Sequence, residues 1–440
     1  MSRNSLRARA EKGALVLRGH FRRFFSELGP GLITGAADDD PSGISTYSVT
    51  GAAFGYQPLW TALFTFPLMA AVQVMCARLG MVTGRGLASI IRRHYPRWVL
   101  WIACLLLLIA NVVNIAADLG GMADVTQLLT GVRAIYWTPA YALFIAGMLF
   151  WTSYRTIVRI FKWLTLALFA YIAAAILAHP DWAAVLRATL IPSVQWSASF
   201  WATLVGILGT TISPYLFFWQ AAQEVEEEKA EGRVTVKQRE GASRKELLRS
   251  RNDVLTGMFF SNLVMYFIIL TSAATLHAHG TTSIATAKDA AEALRPFAGA
   301  GAYWLFSLGL IGAGMLGVPV LAGSCAYAIA EAANWVGSLE VHPPLAHGFY
   351  GVITVAMSVG LALNYAGLDA VRMLFWSAVV NGILAPPLLI LVILLTSRAD
   401  IMGEHRNGPL LRSLGWTCAI TMIAASLLML GSSFIGGSSH

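Results

Sequence analysis

Eleven apolar stretches, each close to the length of a bilayer's hydrocarbon core, leave this 440-residue chain one class of fold. They lie near residues 30–54, 57–81, 98–120, 139–157, 160–178, 198–219, 252–277, 301–330, 346–366, 370–396 and 413–434. A helix of about 20 residues crosses a core of about 30 Å. Charged residues make up 12% of the chain, against about 25% in soluble proteins, and mean hydropathy is +0.63. The expected fold class is all-α integral membrane, with 11 transmembrane helices. Residues 1–27 read as a basic segment and 28–440 as one membrane domain, without a Gly/Ser linker or a soluble domain.

The net charge of +8 is distributed as a topology signal. With the N-terminus inside, 25 Lys and Arg fall in inner segments and five in outer ones (Arg133, Arg187, Lys288, Arg295 and Arg372), while Arg78 lies within a span. That is the positive-inside bias. It predicts a multi-pass protein of the cell (plasma or inner) membrane with a cytoplasmic N-terminus and His440 outside, bound to a lipid bilayer and to no nucleic acid. Residues 15–25 mix aromatics with Arg, as a membrane-surface helix does, and carry no cleavable signal. The four cysteines lie singly inside spans and read as small core residues.

Two of the spans are broken. Asp38-Asp39-Asp40-Pro41-Ser42-Gly43 interrupts the first. Carboxylates at membrane depth cost roughly 2.5–3.5 kcal/mol each on insertion scales, so lipid is not their neighbour. Pro41 removes a backbone donor, and a helix broken at mid-span exposes groups that lipid tolerates only where they line a cavity. A broken helix beside buried acids reads as a cation site. The second break, Gly209 to Tyr215, places Ser213-Pro214 173 residues after Asp40-Pro41. Five spans separate the breaks, which predicts two halves of opposite orientation, 28–178 and 197–396, with 412–434 outside the repeat and a substrate site at the midplane.

Gly29-Pro30-Gly31 leading into Asp40-Pro41-Ser42-Gly43, the sixth-span Ser213-Pro214, and Asn114-Ile-Ala-Ala-Asp118-Leu-Gly in the third span resemble the natural-resistance-associated macrophage protein (Nramp) family of divalent-metal transporters. The resemblance implies a leucine-transporter-like fold of two inverted five-helix repeats, with helices 1 and 6 broken and metal bound between them. Departures from the family pattern are specific. Its Asp-Pro-Gly-Asn is here Asp40-Pro41-Ser42-Gly43, so Gly43 stands where the family has an Asn ligand. Its Met-Pro-His is Ser213-Pro214-Tyr215, and its Asp-Leu-Ala-Glu is Asp118-Leu119-Gly120-Gly121. The arginine pair usual in the ninth span is missing. The chain is similar in this to Nramp-related magnesium transporters.

Loss of the thioether and imidazole leaves an oxygen-only site, which suits Mg²⁺ and Mn²⁺ over Cd²⁺. Mg²⁺ keeps several waters, and a roomier site accommodates them. Asp40, the match to the family aspartate, is the first expected ligand. Asp39 and Asp38 add charge or hold a metal-bound water, and one of the three Asp caps the following half-helix as the alternative. From the sixth span come the Thr210 carbonyl and the Ser213 hydroxyl, with Ser42, Thr211 and Tyr215 nearby. Pro41 and Pro214 break the helices. Asn111, Asn114 and Asp118 share a face of the third span. That face either reaches the site or forms an interhelical cluster. Asn381 and Gln73 read as polar contacts between helices.

The proton relay that the resemblance implies is reduced here to Asp118 and the Asp triplet, so uptake is expected to run on metal gradient and membrane potential. Two charges crossing 100 mV gain about 4.6 kcal/mol. No cofactor is expected beyond the transported Mn²⁺ or Mg²⁺. The alternative reading is a permease of the same fold for amines or amino acids, although three Asp would repel a substrate carboxylate. An intramembrane aspartyl protease would need a Gly-x-Gly-Asp motif, which the chain lacks. Residues 220–251 read as a continuation of the sixth helix into the cytosol followed by a solvated loop, Glu226, Glu227 and Glu228 as a solvated face, and His277 and His279 as surface residues.

Overall fold

The structure is a computed structural model that describes residues 29–436, apart from 154–155, 158, 160–165 and 368. The basic segment 1–27 and much of the expected fifth span lie outside the described residues; Leu166–Leu177 is the part of that span that is seen. Every regular element among the described residues is helical. The longer helices are α1 (Pro30–Asp38), α2 (Pro41–Phe54), α3 (Trp60–Thr83), α4 (Arg97–Thr130), α5 (Ala134–Trp151), α6 (Ala198–Thr211), α7 (Pro214–Ala230), α8 (Arg244–Thr275), α9 (Ala302–Ala333), α10 (His347–Leu363), α11 (Ala370–Ser397) and α12 (Pro409–Gly436). Shorter helices lie between them.

Nine described spans are long and apolar enough to cross a bilayer, the α6–α7 pair counting as one. The expected first span is present as α1 and α2, of nine and 14 residues. Boundaries shift at several spans: α4 runs 34 residues and passes the expected end at 120 by ten, α7 carries the sixth span on to Ala230, and the fourth ends at Trp151.

The long helices divide their faces between lipid and interior. On α4, Trp98, Trp101, Leu105 and Ile109 are exposed at three- and four-residue spacing. Leu107, Asn111, Asn114 and Asp118 are buried along the other side. A helix in lipid turns its apolar stripe outward and its polar groups toward its neighbours.

Proline sets both breaks, and at the first a capping side chain joins it. Pro41 occupies the first turn of α2, where a missing N–H leaves no bond unmade, and the Asp40 side chain accepts from the Gly43 amide at 2.8 Å as its N-cap. Pro214 begins α7 in the same way, with Ser213 at the cap position.

α1 lies flat against α8 because both surfaces are pared down to glycine. A Cβ on Gly31 would fall 2.5 Å from the Val254 amide nitrogen, and one on Gly35 would enter the Gly257 backbone. Small residues of this kind let membrane helices approach closely. The N-cap residue of α1, Gly29, has no side chain to offer. Asp253 of α8 substitutes for it, accepting from the Gly29 and Gly31 amides at 3.2 and 2.7 Å.

The acidic end of α7 corrects the expectation of a solvated face. Glu228 is buried, its carboxylate meeting Arg233 at 3.4 Å. Glu226 accepts from Lys229 and Ser338, each at 2.8 Å. The segment after Ala230 folds back, with the buried Arg239 donating to the carbonyls of Gly84, Arg233 and Val234. α7 packs against α3 and α9, which leaves Glu226 and Glu227 half-buried and Glu228 buried. His277 and His279 are exposed, as expected.

Candidate metal centre

The two breaks meet. Tyr215, in the first turn of α7, donates its hydroxyl to the Ala37 carbonyl of α1 at 3.0 Å, and the same oxygen lies 3.4 Å from Asp40 Oδ2. Gly43 faces the end of α6: a Cβ there would stand 2.8 Å from Thr210 Oγ1 and 3.5 Å from the Tyr47 hydroxyl. The end of α1 and the first turn of α2 therefore lie against the end of α6 and the first turn of α7, all deeply buried.

Asp40 is bound on both oxygens. Oδ1 accepts from Gly43, and Oδ2 accepts from Asn114 Nδ2 at 2.8 Å. Its capping role and its place at the break occur together. The third span reaches the site through Asn114 and Asp118 but not through Asn111, which donates to the Leu321 carbonyl and Ser324 of α9. Ser42 is the junction. Its hydroxyl lies 3.0 Å from Asn114 Oδ1, 3.1 Å from Asp118 Oδ1 and 2.7 Å from Ser377 Oγ of α11. Asp118 Oδ2 is buried without a hydrogen-bond partner. α9 passes close by, where a Cβ on Gly317 would stand 3.1 Å from Asp40 Cβ and 3.8 Å from Asp118 Oδ2.

The other two acids diverge from Asp40. Ser261 of α8 donates to Asp38 Oδ2 at 2.6 Å and lies 3.2 Å from Asp39 Oδ1. Asp38 Oδ1 is buried without a partner. Although the backbone is unwound at Asp39, with φ −82° and ψ 55°, the triplet does not converge. Among the described residues, no three His, Cys, Asp or Glu side chains gather as they would around a bare metal ion, and no Lys or Arg pairs with Asp38, Asp39, Asp40 or Asp118. Among the described residues, the hydrogen-bond partners of these acids are neutral groups.

On the sixth span the donors are turned inward. Ser213 Oγ donates to its own helix at the Gly209 and Thr210 carbonyls, both 2.8 Å away, and Thr211 Oγ1 donates to Ile207 at 2.8 Å. Asn381 stands one turn beyond Ser377 on α11, buried, with Oδ1 unpartnered. Ser261, Ser377 and Gly317 escape a reading of the sequence. Each acts across more than 200 positions, and a lone Ser or Gly in a membrane span is too common to single out.

The sequence matches the family described as natural resistance-associated macrophage protein-like over residues 31–432. A solved structure of the Eremococcus coleocola manganese transporter, in complex with an aromatic bis-isothiourea substituted compound, is similar with a TM-score of 0.72 at 20% identity, covering 94% of this chain and 87% of that one. A mutant of the same transporter is similar with a TM-score of 0.70 at 21% identity over the same shares. Mhp1, a nucleobase-cation-symport-1 family transporter, is similar in a closed conformation with a TM-score of 0.54 at 14% identity, covering 92% of each chain. These neighbours share the fold expected from the family resemblance, the leucine-transporter type with interrupted first and sixth spans.

Proposed function

The chain belongs to the Nramp family, as a multi-pass membrane transporter of divalent metal rather than an enzyme, and from that premise we propose that it imports Mn²⁺ and Mg²⁺ by alternating access. The repeats 28–178 and 197–396 rock about the two breaks, and 412–434 stands outside them. The N-terminus is cytoplasmic and the C-terminus external. Mn²⁺ as cargo is supported by the similar structures being those of a manganese transporter.

One observation carries the choice of ions. The groups around the two breaks are carboxylate, amide, hydroxyl and carbonyl oxygens, with Asp40 at their centre and neither sulfur nor imidazole among the bonds they make. Oxygen donors suit Mg²⁺ and Mn²⁺, whereas sulfur would favour softer ions. Asp40 is the direct ligand, joined by the Thr210 carbonyl and the Ser213 hydroxyl once that hydroxyl turns from its own helix. Asp39, Asp38 and Asp118 supply charge and hold metal-bound water. Gly43 offers no side-chain ligand and lets α2 approach Thr210 closely. An ion reluctant to shed its hydration is well served by few carboxylates and many neutral oxygens.

Transport is driven by the metal gradient and the membrane potential, without a coupled proton. The test uses reconstituted vesicles with a luminal pH dye. The parent chain should carry Mn²⁺ and Mg²⁺ ahead of Cd²⁺ with no luminal acidification, and Asp40→Ala should abolish the flux. Strong preference for Cd²⁺ would refute the ligand assignment, and Mn²⁺-linked acidification would refute the uncoupled mechanism.

A further inference from the structure

Beneath α1, at the end of the molecule that the charge distribution places in the cytosol, a cavity of about 60 Å³ opens between α7 and α8. On this scale one water needs about 10–15 Å³, so several fit. Among the described residues its lining holds six carboxylates against two guanidinium groups, Arg233 and Arg249. We propose that it is a second cation site, a waypoint where a hydrated divalent ion rests between the midplane and the cytosol, held chiefly by Glu224 and Glu228. It rests on the divalent-metal reading above for the identity of the ion.

The first observation is the arrangement of the two glutamates. They stand one helical turn apart on α7, on the same face, and both are 4% exposed. Like charges at this spacing repel, and burial strengthens the repulsion. Among the described residues Glu224 is held by neutral donors, Gln220 Nε2 at 2.9 Å and Ser250 Oγ at 2.8 Å, and both bonds fall on Oε1. Glu228 meets Arg233 through Oε1 at 3.4 Å, a long contact, because Arg233 also serves Glu231 and Glu246.

The second observation is independent of the charge count. Glu228 Oε2 is buried and has no hydrogen-bond partner, on a side chain that lines the cavity. A buried carboxylate oxygen without a donor is costly, and a cation removes that cost. Among the described residues no three acids close on one point, so the ion keeps part of its water shell, as Mg²⁺ and Mn²⁺ sites with one or two carboxylates do. Gly29 and Pro30 form another wall. Pro30 begins the half-helix that ends at Asp38, eight residues or about 12 Å away along its axis.

The experiment follows binding of Mn²⁺ alone to the full chain in detergent, using the paramagnetic resonance signal of the free ion. The parent should show two classes of site. Glu224→Gln and Glu228→Gln should each weaken the looser class by about tenfold, since affinity follows the number of ligand charges. Glu228→Asp, which keeps the charge, should restore much of it. The tighter class remains in these variants and reports that they are folded. In Asp40→Ala the tighter class should vanish and the looser one persist, which separates this site from the central one. If the Gln variants leave the isotherm unchanged, or if the looser class disappears with Asp40→Ala, the waypoint does not exist. If no class responds to Asp40→Ala while one responds to Glu228→Gln, the waypoint stands and the central assignment falls.

Discussion

Asn114 donates from Nδ2 to Asp40 Oδ2 over 2.8 Å, joining the third span to the carboxylate at the first break. The amide is oriented by its other end, since Asn114 Oδ1 lies 3.0 Å from the Ser42 hydroxyl. Groups that hold a ligand in place matter nearly as much as the ligand. Asn114→Ala should weaken Mn²⁺ binding by about 10–100-fold while the protein stays folded. Binding isotherms of purified parent and variant check this, and an unchanged affinity would remove Asn114 from the site.

Asp40 caps α2 and is the proposed metal ligand, and one substitution separates the roles. Asn caps a helix about as well as Asp. Asp40→Asn should therefore melt near the parent temperature yet lose most Mn²⁺ uptake. A variant that transports normally would make the cap the whole role of this residue, and one that melts far lower would show that the substitution does not separate the two roles.

Gly43 is tied to Thr210 by space. A Cβ there would stand 2.8 Å from Thr210 Oγ1, closer than van der Waals contact allows. Gly43→Asn, which restores the family's amide, should destabilise the chain by about 1–3 kcal/mol through overpacking. Trimming the neighbour in Gly43→Asn with Thr210→Ala should recover part of that loss. Thermal unfolding of the single and double variants decides the matter; equal melting temperatures for Gly43→Asn and the parent would contradict it.

Ser261 is the described hydroxyl shared by Asp38 and Asp39. Removing it leaves buried carboxylate oxygens with one donor fewer, a loss of about 1–3 kcal/mol. Ser261→Ala should lower the melting temperature in detergent, and added Mn²⁺ should narrow the gap. A gap that Mn²⁺ leaves unchanged would place Asp38 and Asp39 outside the ion's reach.

Ser213→Met puts a thioether where the family carries one. Softer donors favour softer ions, so Cd²⁺ uptake should rise relative to Mn²⁺ in vesicles. An unaltered ratio would show that position 213 does not face the ion.

Much of this was legible in residue order, and the limits have physical causes. The breaks could be read because Pro41 and Pro214 act locally, each removing a donor within its own helix. Asp118 and Asn114 could be placed on one face because helical spacing is local too. Their partners could not be placed. Ser377 meets Ser42 across 335 positions and Ser261 meets Asp38 across 223, and nothing in either serine's neighbours announces the contact. Asn111 shows the limit of periodicity, for it shares a face with Asn114 yet donates to α9, because α4 is long enough to touch several helices in turn. The acidic end of α7 misled for the opposite reason. Three glutamates in a row look solvated until Arg233 and Ser338, supplied by separate loops, enclose them.

The grip of α8 on the first half-helix has a mechanical consequence. Asp253 holds the amides of Gly29 and Gly31, Ser261 holds the acids around its far end, and Gly35 is flush with Gly257 in between. A lever clamped at both tips cannot tilt by itself. Under the alternating-access proposal, a swing of α1 either shears both clamps at once or drags the whole of α8 along, so hinge and handle belong to a single stroke.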